Sequence, residues 1–204
     1  MSKDINNYKK PIGLLGSLMI NHMNKHHYEL TNWGLSKYDF STDKTILDIG
    51  CGGGNTIYLL LNQSKATVYG IDYSVLCVKK SLKKNRDDVK AMRAHISYGN
   101  VLKMDFSDNV FDTVTAVETI YFWQPFDLAL LEVLRVLHSG GRFIIIVELT
   151  KDNENIKKCE ELEKRLNMNL YTENELVQSV CAAGFENVAV SRQGPWLTLE
   201  AVKP

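Results

Sequence analysis

The sequence is poor in cysteine and has no excess of charge of either sign. Its four cysteines lie far apart, at positions 51, 77, 159 and 181 of 204, and none forms a C-x-x-C pair. This spacing excludes a typical zinc motif and a disulfide framework. Lysine and arginine together number 24, as do aspartate and glutamate, so the chain lacks the basic excess with which proteins usually bind a nucleic-acid backbone. We therefore expect no nucleic-acid partner.

Long hydrophobic runs are also missing. No uncharged stretch reaches the roughly 18 residues of a membrane-spanning helix, and the first seven residues contain no apolar core of a signal peptide. We therefore expect a protein of the reducing cytoplasm with no membrane partner. The composition, with 45% hydrophobic and 24% charged residues, is typical of a globular protein. The length predicts one domain with a short appendage.

Beyond residue 40, short segments rich in β-branched residues alternate with longer helical ones. Strands are predicted at residues 45–49, 66–71, 94–98, 111–117, 142–147, 186–190 and 196–202. The alternation of strand and helix predicts a parallel, doubly wound sheet. The turn Gln193-Gly194-Pro195 is too short for a parallel crossover, so the last two strands form an antiparallel hairpin. The predicted fold class is therefore α/β, a doubly wound and mostly parallel seven-stranded sheet with a C-terminal hairpin.

Helices are predicted from capping residues and from the spacing of apolar residues. Ser74 caps one helix, and Thr172 and Glu175 form the capping box of another that runs to Gly184. A polar helix is expected over residues 153–166. A further helix, beginning at Pro125 and ending at Gly140-Gly141, has leucines at positions 128, 131, 134 and 137.

The first 40 residues do not share the strand–helix alternation. Leu15, Leu18, Met19 and Met23 recur at helical spacing, with His22 on the same stripe. We predict an N-terminal helical cap or lid over residues 1–40, followed by a ligand-binding domain over residues 41–204.

The turn after the first strand reads Asp48-Ile-Gly50-Cys51-Gly52-Gly53-Gly54. Glycines at a strand-to-helix turn let the backbone approach a ligand closely. A phosphate-binding Walker A loop would need Gly-Lys-Ser/Thr, but Asn55-Thr56 follow Gly54. The dinucleotide fingerprint G-x-G-x-x-G fails in both registers, because Asn55 and Ile57 occupy the positions of its third glycine.

The remaining pattern, D-x-G-x-G-x-G, resembles the first motif of class I methyltransferases that use S-adenosylmethionine. The resemblance covers residues 41–150. It includes Gly70-Ile-Asp72-Tyr73-Ser, Gly99-Asn100-Val101, Phe111-Asp112-Thr-Val and the stretch from Glu132 to Phe143. The most similar branch contains the ubiquinone and menaquinone biosynthesis methyltransferases. This resemblance implies the Rossmann-like methyltransferase fold.

The resemblance also implies the residues that bind S-adenosylmethionine. Asp72 would bind both ribose hydroxyls, and Asn100, which replaces the aspartate of many relatives, would contact the adenine. Asp48 and Glu118 are expected to face the cationic sulfonium, which favours carboxylates; alternatively, Asp48 bonds the amides of the glycine loop and Asp72 caps a helix. Cys51 is expected to be a small filler beneath the ligand. The predicted binding set is Asp48, Gly50, Cys51, Gly52, Asp72, Tyr73, Asn100, Val101 and Glu118.

The acceptor site is expected where the fourth strand ends. Glu118 is followed there by Tyr121, Phe122 and Trp123, of which one or two are expected to line the site, with Tyr121 and Trp123 as the candidates. The cap offers His22 and His26, four residues apart on one helical face. They are incidental histidines, a metal site, or parts of a lid with His22 at the substrate and His26 near the reaction. No companion acid or thiol pair is evident, so we expect no metal.

These expectations converge on methyl transfer from S-adenosylmethionine to a small-molecule acceptor. Alignment of the two reactants supplies most of the catalysis, and Glu118 or His26 is the candidate base where the acceptor must lose a proton. Two alternatives remain: a protein or RNA methyltransferase, and a module that binds S-adenosylmethionine without turnover. The sequence does not specify the oligomeric state.

Overall fold

The fold is taken from a computed structural model that describes residues 10–152 and 154–204. Residues 1–9 of the predicted cap and Asn153, the predicted start of the polar helix, lie outside the described residues.

Seven strands occur within these described ranges and form one sheet. They are β1 (Thr45–Ile49), β2 (Thr67–Asp72), β3 (Ala94–Tyr98), β4 (Phe111–Val117), β5 (Leu137–Val147), β6 (Glu186–Gln193) and β7 (Trp196–Val202). Their order across the sheet is β3-β2-β1-β4-β5-β7-β6. The first five strands pair in parallel, whereas β7 is antiparallel to both β5 and β6. The predicted doubly wound sheet with a C-terminal hairpin is confirmed.

Helices cover both faces of this sheet. They are α1 (Gly13–His26), α2 (Tyr28–Leu35), α3 (Asn55–Gln63), α4 (Val75–Lys84), α5 (Arg86–Lys90), α6 (Phe126–Val136), α7 (Ile156–Leu166) and α8 (Glu173–Ala182), with a short 3₁₀ helix at Ile120–Phe122. The predicted boundary between a cap (1–40) and a second domain (41–204) falls in the connection between α2 and β1.

Strand β5 shows why the sheet is covered on both sides. Its residues alternate between two hydrophobic clusters, with Phe143 and Ile145 in one and Ile144 and Ile146 in the other, and all four are fully buried. Near-continuous apolar strands of this kind are typical of parallel sheets. Helix α2 packs closely on this layer, because a Cβ at Gly34 would lie 2.6 Å from Cδ1 of Ile146.

Two predicted helices are confirmed, but one ends earlier than expected. Helix α6 ends at Val136, and Leu137 already begins β5. Its buried face consists of Ala129, Leu130, Val133 and Val136, whereas Leu128 and Leu131 are about half exposed. In α1 the buried residues are Gly16 and Ile20, while Leu15 and Leu18 are exposed. In both helices, apolar spacing predicted the helix correctly, and the structure adds which of its faces is buried.

The capping predictions are confirmed. Ser74 Oγ accepts a hydrogen bond from the backbone N–H of Cys77 at the start of α4, and Thr172 and Glu175 form a complete capping box at α8. Among the described residues, no helix is both long enough and apolar enough to cross a membrane.

Candidate functional site

A cavity of about 280 Å³ opens where β1, β2 and β4 end, beneath the helical cap. This position is the usual ligand site of open α/β sheets, and the volume is near the lower end of small-molecule sites. Its wall combines side chains of the cap with the glycine loop and the segments that follow β2, β3 and β4. These residues are Pro11, Ile20, Met23, Asn24, His27, Thr31, residues 49–53, Asn55, Thr56, residues 71–73, Cys77, residues 99–102, residues 117–119 and residues 122–124.

The glycine loop forms the floor of the cavity. Gly50, Gly52 and Gly54 all have positive φ, and the backbone N–H groups of Gly50 and Cys51 donate to the carbonyl of Ile71. A Cβ at Gly50 would lie only 2.1 Å from Oγ1 of Thr119. Only glycine combines this backbone angle with such a close approach. The loop is therefore held between the ends of β2 and β4 with its backbone facing the cavity.

Asp72 ends β2 and connects the floor to the side of the cavity. Its Oδ2 accepts the Gly52 N–H at 2.9 Å, and its Oδ1 accepts the Ser74 N–H at 2.7 Å. Burial raises the pKa of this carboxyl, against the effect of these two hydrogen bonds. Each carboxylate oxygen has a second lone pair. A ligand in the cavity can therefore bind Asp72 through the remaining lone pairs, in competition with the Cys77 thiol, which also hydrogen-bonds this carboxyl. Ser74 rather than Asp72 provides the side-chain cap of α4.

Asp48 lies behind the wall of the cavity. It is 1% exposed, its Oδ1 accepts a hydrogen bond of 2.8 Å from Thr115 Oγ1, and its Oδ2 has no hydrogen-bond partner among the described residues. Burial raises the pKa of Asp48 to about 7. The alternative prediction was that Asp48 accepts hydrogen bonds from the amides of the glycine loop. In the structure, the Gly52 amide of this loop donates to Asp72 instead. Contact of Asp48 with a ligand stays a prediction.

Glu118 follows β4 with a positive φ of 55°. Its Oε1 accepts hydrogen bonds from the Tyr121 hydroxyl, at 3.0 Å, and from the Glu148 backbone N–H. Its Oε2 lies 3.6 Å from Nε2 of His27. Burial raises the pKa of Glu118 to about 7. A left-handed backbone at a bulky residue is costly and is found preferentially at functional sites, so the strain supports Glu118 as a functional residue.

The histidine of the cap that reaches the cavity is His27, which the sequence did not single out. It follows α1 with a non-helical ψ of 5°, and burial is the main cause that lowers its pKa to about 4. His22 and His26, the predicted pair, are exposed and do not line the wall. Their rings stack at 6.0 Å, and Nε2 of His26 lies 3.1 Å from Oε2 of Glu148. Helical spacing singled out His22 and His26. Because the helix is interrupted after His26, it is the next residue, His27, that faces the cavity.

Two of the three consecutive aromatic residues line the cavity. These are Phe122 and Trp123. Tyr121 is buried behind them and donates its hydroxyl hydrogen bond to Glu118. It therefore lies outside the wall in which it was predicted, because the 3₁₀ helix Ile120–Phe122 rotates it toward the sheet.

The remaining predicted binding residues all occur in the wall: Gly50, Cys51, Gly52, Tyr73, Asn100 and Val101. Burial raises the pKa of the Cys51 thiol, which keeps it protonated and agrees with a filler beneath the ligand. Sequence reasoning missed the residues by which the cap lines the cavity, since His22 and His26, the two it named, do not line the wall. Asn24, for example, lies over the glycine loop, where a Cβ at Gly53 would be 2.1 Å from its Nδ2. No motif in the sequence marks this contact.

Comparison with known proteins matches residues 40–193 to the family model of a methyltransferase domain. Methyltransferase phqN of Penicillium fellutanum is 24% identical over 166 residues, which are 75% of this chain and 51% of that protein. Demethylmenaquinone methyltransferase of Lactiplantibacillus plantarum is 28% identical over 125 residues, 60% of this chain and 53% of that protein. The chain thus spans about half the length of these curated relatives.

A solved structure from Haloferax volcanii has the same fold. It is a complex between the Trm112 methyltransferase activator and a putative methyltransferase, and it aligns with a TM-score of 0.77 at 18% identity. The alignment covers 91% of this chain and 94% of the other.

The buried carboxyl of Asp48 predicts a specific pH dependence of stability. Because the folded protein holds the Asp48 proton up to about pH 7, whereas an unfolded aspartate loses it near pH 4, unfolding releases a proton between these values. Raising the pH through this window therefore destabilises the ligand-free protein. The asparagine of Asp48→Asn has no proton to release, so the variant lacks this pH dependence. The unfolding free energy of the variant minus that of the wild type should therefore increase with pH, by at most about 1.4 kcal/mol per pH unit, and level off above pH 7.

Urea unfolding of both proteins between pH 5 and 8 measures this difference. Glu118 titrates in both proteins and cancels in the comparison. A difference that stays constant over this range would contradict the buried, protonated state of Asp48.

Proposed function

Because the chain belongs to the class I S-adenosylmethionine-dependent methyltransferases, we propose that its cavity binds S-adenosylmethionine and transfers the methyl group to a small-molecule acceptor. The observation that carries this proposal is the charge of the wall. It contains the carboxylates of Asp72 and Glu118, and no lysine or arginine occurs among the described residues that line it. A cationic sulfonium fits such a cavity, whereas a phosphate group would find no lysine or arginine among these described lining residues.

The donor is proposed to lie along the glycine loop. The two ribose hydroxyls would donate to the oxygens of Asp72, whose remaining lone pairs point to this role. Asn100 and Val101, after β3, would border the adenine. The bare backbone of Gly50 and Gly52 allows close approach of the methionine part.

The acceptor is proposed to lie between the donor and the cap. Phe122 and Trp123 form an apolar wall there, with His27 and Glu118 as the polar groups. In the transfer, the acceptor's lone pair forms the new bond to the methyl carbon as the carbon–sulfur bond breaks. The electron pair of the broken bond stays on sulfur, which gives neutral S-adenosylhomocysteine. Alignment and exclusion of water can supply about 7–11 kcal/mol of the barrier reduction.

A base is needed only if the acceptor must lose a proton. We propose Glu118 for this role, because it lines the same cavity as Phe122 and Trp123. His26 lies outside the wall, so its predicted catalytic role would require the cap to move. The transfer step itself needs no metal, because the sulfonium is already activated.

We place the proposed activity in a reducing compartment, the cytoplasm, since the four cysteines are free and three of them are buried. Balanced charge and a cavity covered by the cap favour a small molecule over nucleic acid or a membrane lipid surface.

The role of Asp72 is tested by thermal or urea unfolding with S-adenosylhomocysteine. At 100 times its dissociation constant, this ligand should stabilise the wild type by about 2.7 kcal/mol. Asp72→Asn replaces one acceptor oxygen by a donor, so at the same concentration the stabilisation should fall to about 1.4 kcal/mol or less. The matched control is Asp87→Asn, since the Asp87 side chain is 79% exposed and forms a surface ion pair with Arg86. Stabilisation by NADH and not by the adenosyl compounds would contradict the proposal.

The acceptor class is tested with a methyl-labelled donor. Incubation with small-molecule, protein and RNA fractions of a cell extract should place the label in the small molecules. Phe122→Ala should lower this transfer while the stabilisation by S-adenosylhomocysteine is retained, and Phe106→Ala, in a partly buried phenylalanine outside the wall, serves as control. Label in protein or RNA would indicate a macromolecular methyltransferase. Ligand binding with no transfer to any fraction would indicate a binding module.

A further inference from the structure

Three side chains from two distant parts of the sequence meet at the edge of the cavity. His26 and His27 come from the cap, and Glu148 follows the last residue of β5. Nε2 of His26 lies 3.1 Å from Oε2 of Glu148, and Nε2 of His27 lies 3.7 Å from the same oxygen. One ligand atom of each residue lies within 4.8 Å of the other two.

These distances are those of ligands around one small cation. Nitrogen and oxygen ligands bind Zn²⁺ at about 2.0–2.2 Å, which places neighbouring ligand atoms roughly 3–3.6 Å apart. The two measured separations to the Glu148 oxygen are close to this range. A cation would therefore require only small side-chain adjustments.

The local backbone explains how two consecutive histidines converge. Neighbouring residues of a continuous helix point about 100° apart, but α1 ends at His26 and His27 has a non-helical ψ of 5°. His22, one turn earlier, stacks on His26 and does not belong to the group. The companion acid that the sequence lacked near the histidines is supplied by Glu148, 122 residues after His26.

We propose that His26, His27 and Glu148 bind a divalent cation of the zinc type. Two imidazoles and one carboxylate favour Zn²⁺ and similar transition metals over Mg²⁺ or Ca²⁺, which prefer oxygen ligands. Three protein ligands leave at least one coordination position open, as in catalytic zinc sites. The histidine–glutamate pairing is then the metal-free form of the site.

The open position borders the acceptor side of the cavity. Of the three ligands, His27 lines the cavity wall, and its Nε2 lies 3.6 Å from Oε2 of Glu118. A cation here would hold an acceptor through an oxygen atom, such as a hydroxyl or carboxylate. This last step rests on the proposed function, whereas cation binding does not.

Cation binding is tested on tag-free protein in a Cys181→Ser background, which removes the exposed thiol. Zn²⁺ affinity is measured by competition with a chromophoric chelator, and Co²⁺ is added as a spectroscopic probe of coordination. His26→Ala and Glu148→Gln remove ligands whose side chains are 55% and 36% exposed, so neither should prevent folding. His138→Ala, at an exposed histidine near the opposite end of β5, is the matched control.

We expect one equivalent of Zn²⁺ per chain and an intense visible Co²⁺ spectrum. Each ligand variant should weaken Zn²⁺ binding at least about 10-fold and lose the spectrum, and the control should match the wild type. The proposal is overturned if the wild type does not bind stoichiometrically, or if His26→Ala binds as tightly as His138→Ala. Stabilisation by S-adenosylhomocysteine is measured in the same samples without metal. If S-adenosylhomocysteine does not stabilise the wild type, the proposed function is contradicted. If it stabilises the wild type but Zn²⁺ does not bind, only this inference is contradicted.

Discussion

The close approach of the glycine loop to two neighbouring strand ends is the constraint on which the rest of the cavity depends. The loop lies between Thr119, which follows β4, and Ile71 of β2, whose carbonyl accepts two hydrogen bonds from the loop backbone. Thr119 lies so close to Gly50 that no side chain fits at this position. This contact leaves the backbone of the loop facing the cavity and places Asp72 at its edge, hydrogen-bonded to Gly52. A wider turn would separate the floor of the cavity from the acid that is proposed to hold the donor.

Glu118 plays a comparable part on the other side of the cavity. One of its oxygens is held by Tyr121 and by the backbone of Glu148, and the other faces His27 of the cap. The carboxyl thus links β4, β5 and the cap within one low-dielectric site, where electrostatic interactions are stronger than in water. Its left-handed backbone conformation is of a kind found preferentially at functional sites. The proposed donor and acceptor regions meet between this residue and the glycine loop.

Sequence reasoning worked best where local chemistry determines structure. Alternating apolar segments located the strands, Ser74 and Thr172 marked helix starts, and the glycine loop lines the cavity. It was incomplete where the outcome depends on tertiary packing. Leucine spacing predicted α1 and α6 but did not show which residues they bury, which are Gly16 and Ile20 in α1 and include Leu130 in α6. His27 was missed because a break after one helix is not visible in periodicity, and Glu148 because its partners lie more than 120 residues away.

A crystal structure of the protein with S-adenosylhomocysteine is the most direct test of the central claim, that this cavity is shaped for an adenosyl sulfonium without phosphate. We expect the ribose hydroxyls within hydrogen-bond distance of the two Asp72 oxygens and the sulfur directed toward Glu118 and the aromatic wall. Ligand bound elsewhere on the molecule, or a cavity that stays empty at saturating concentration, would contradict the account.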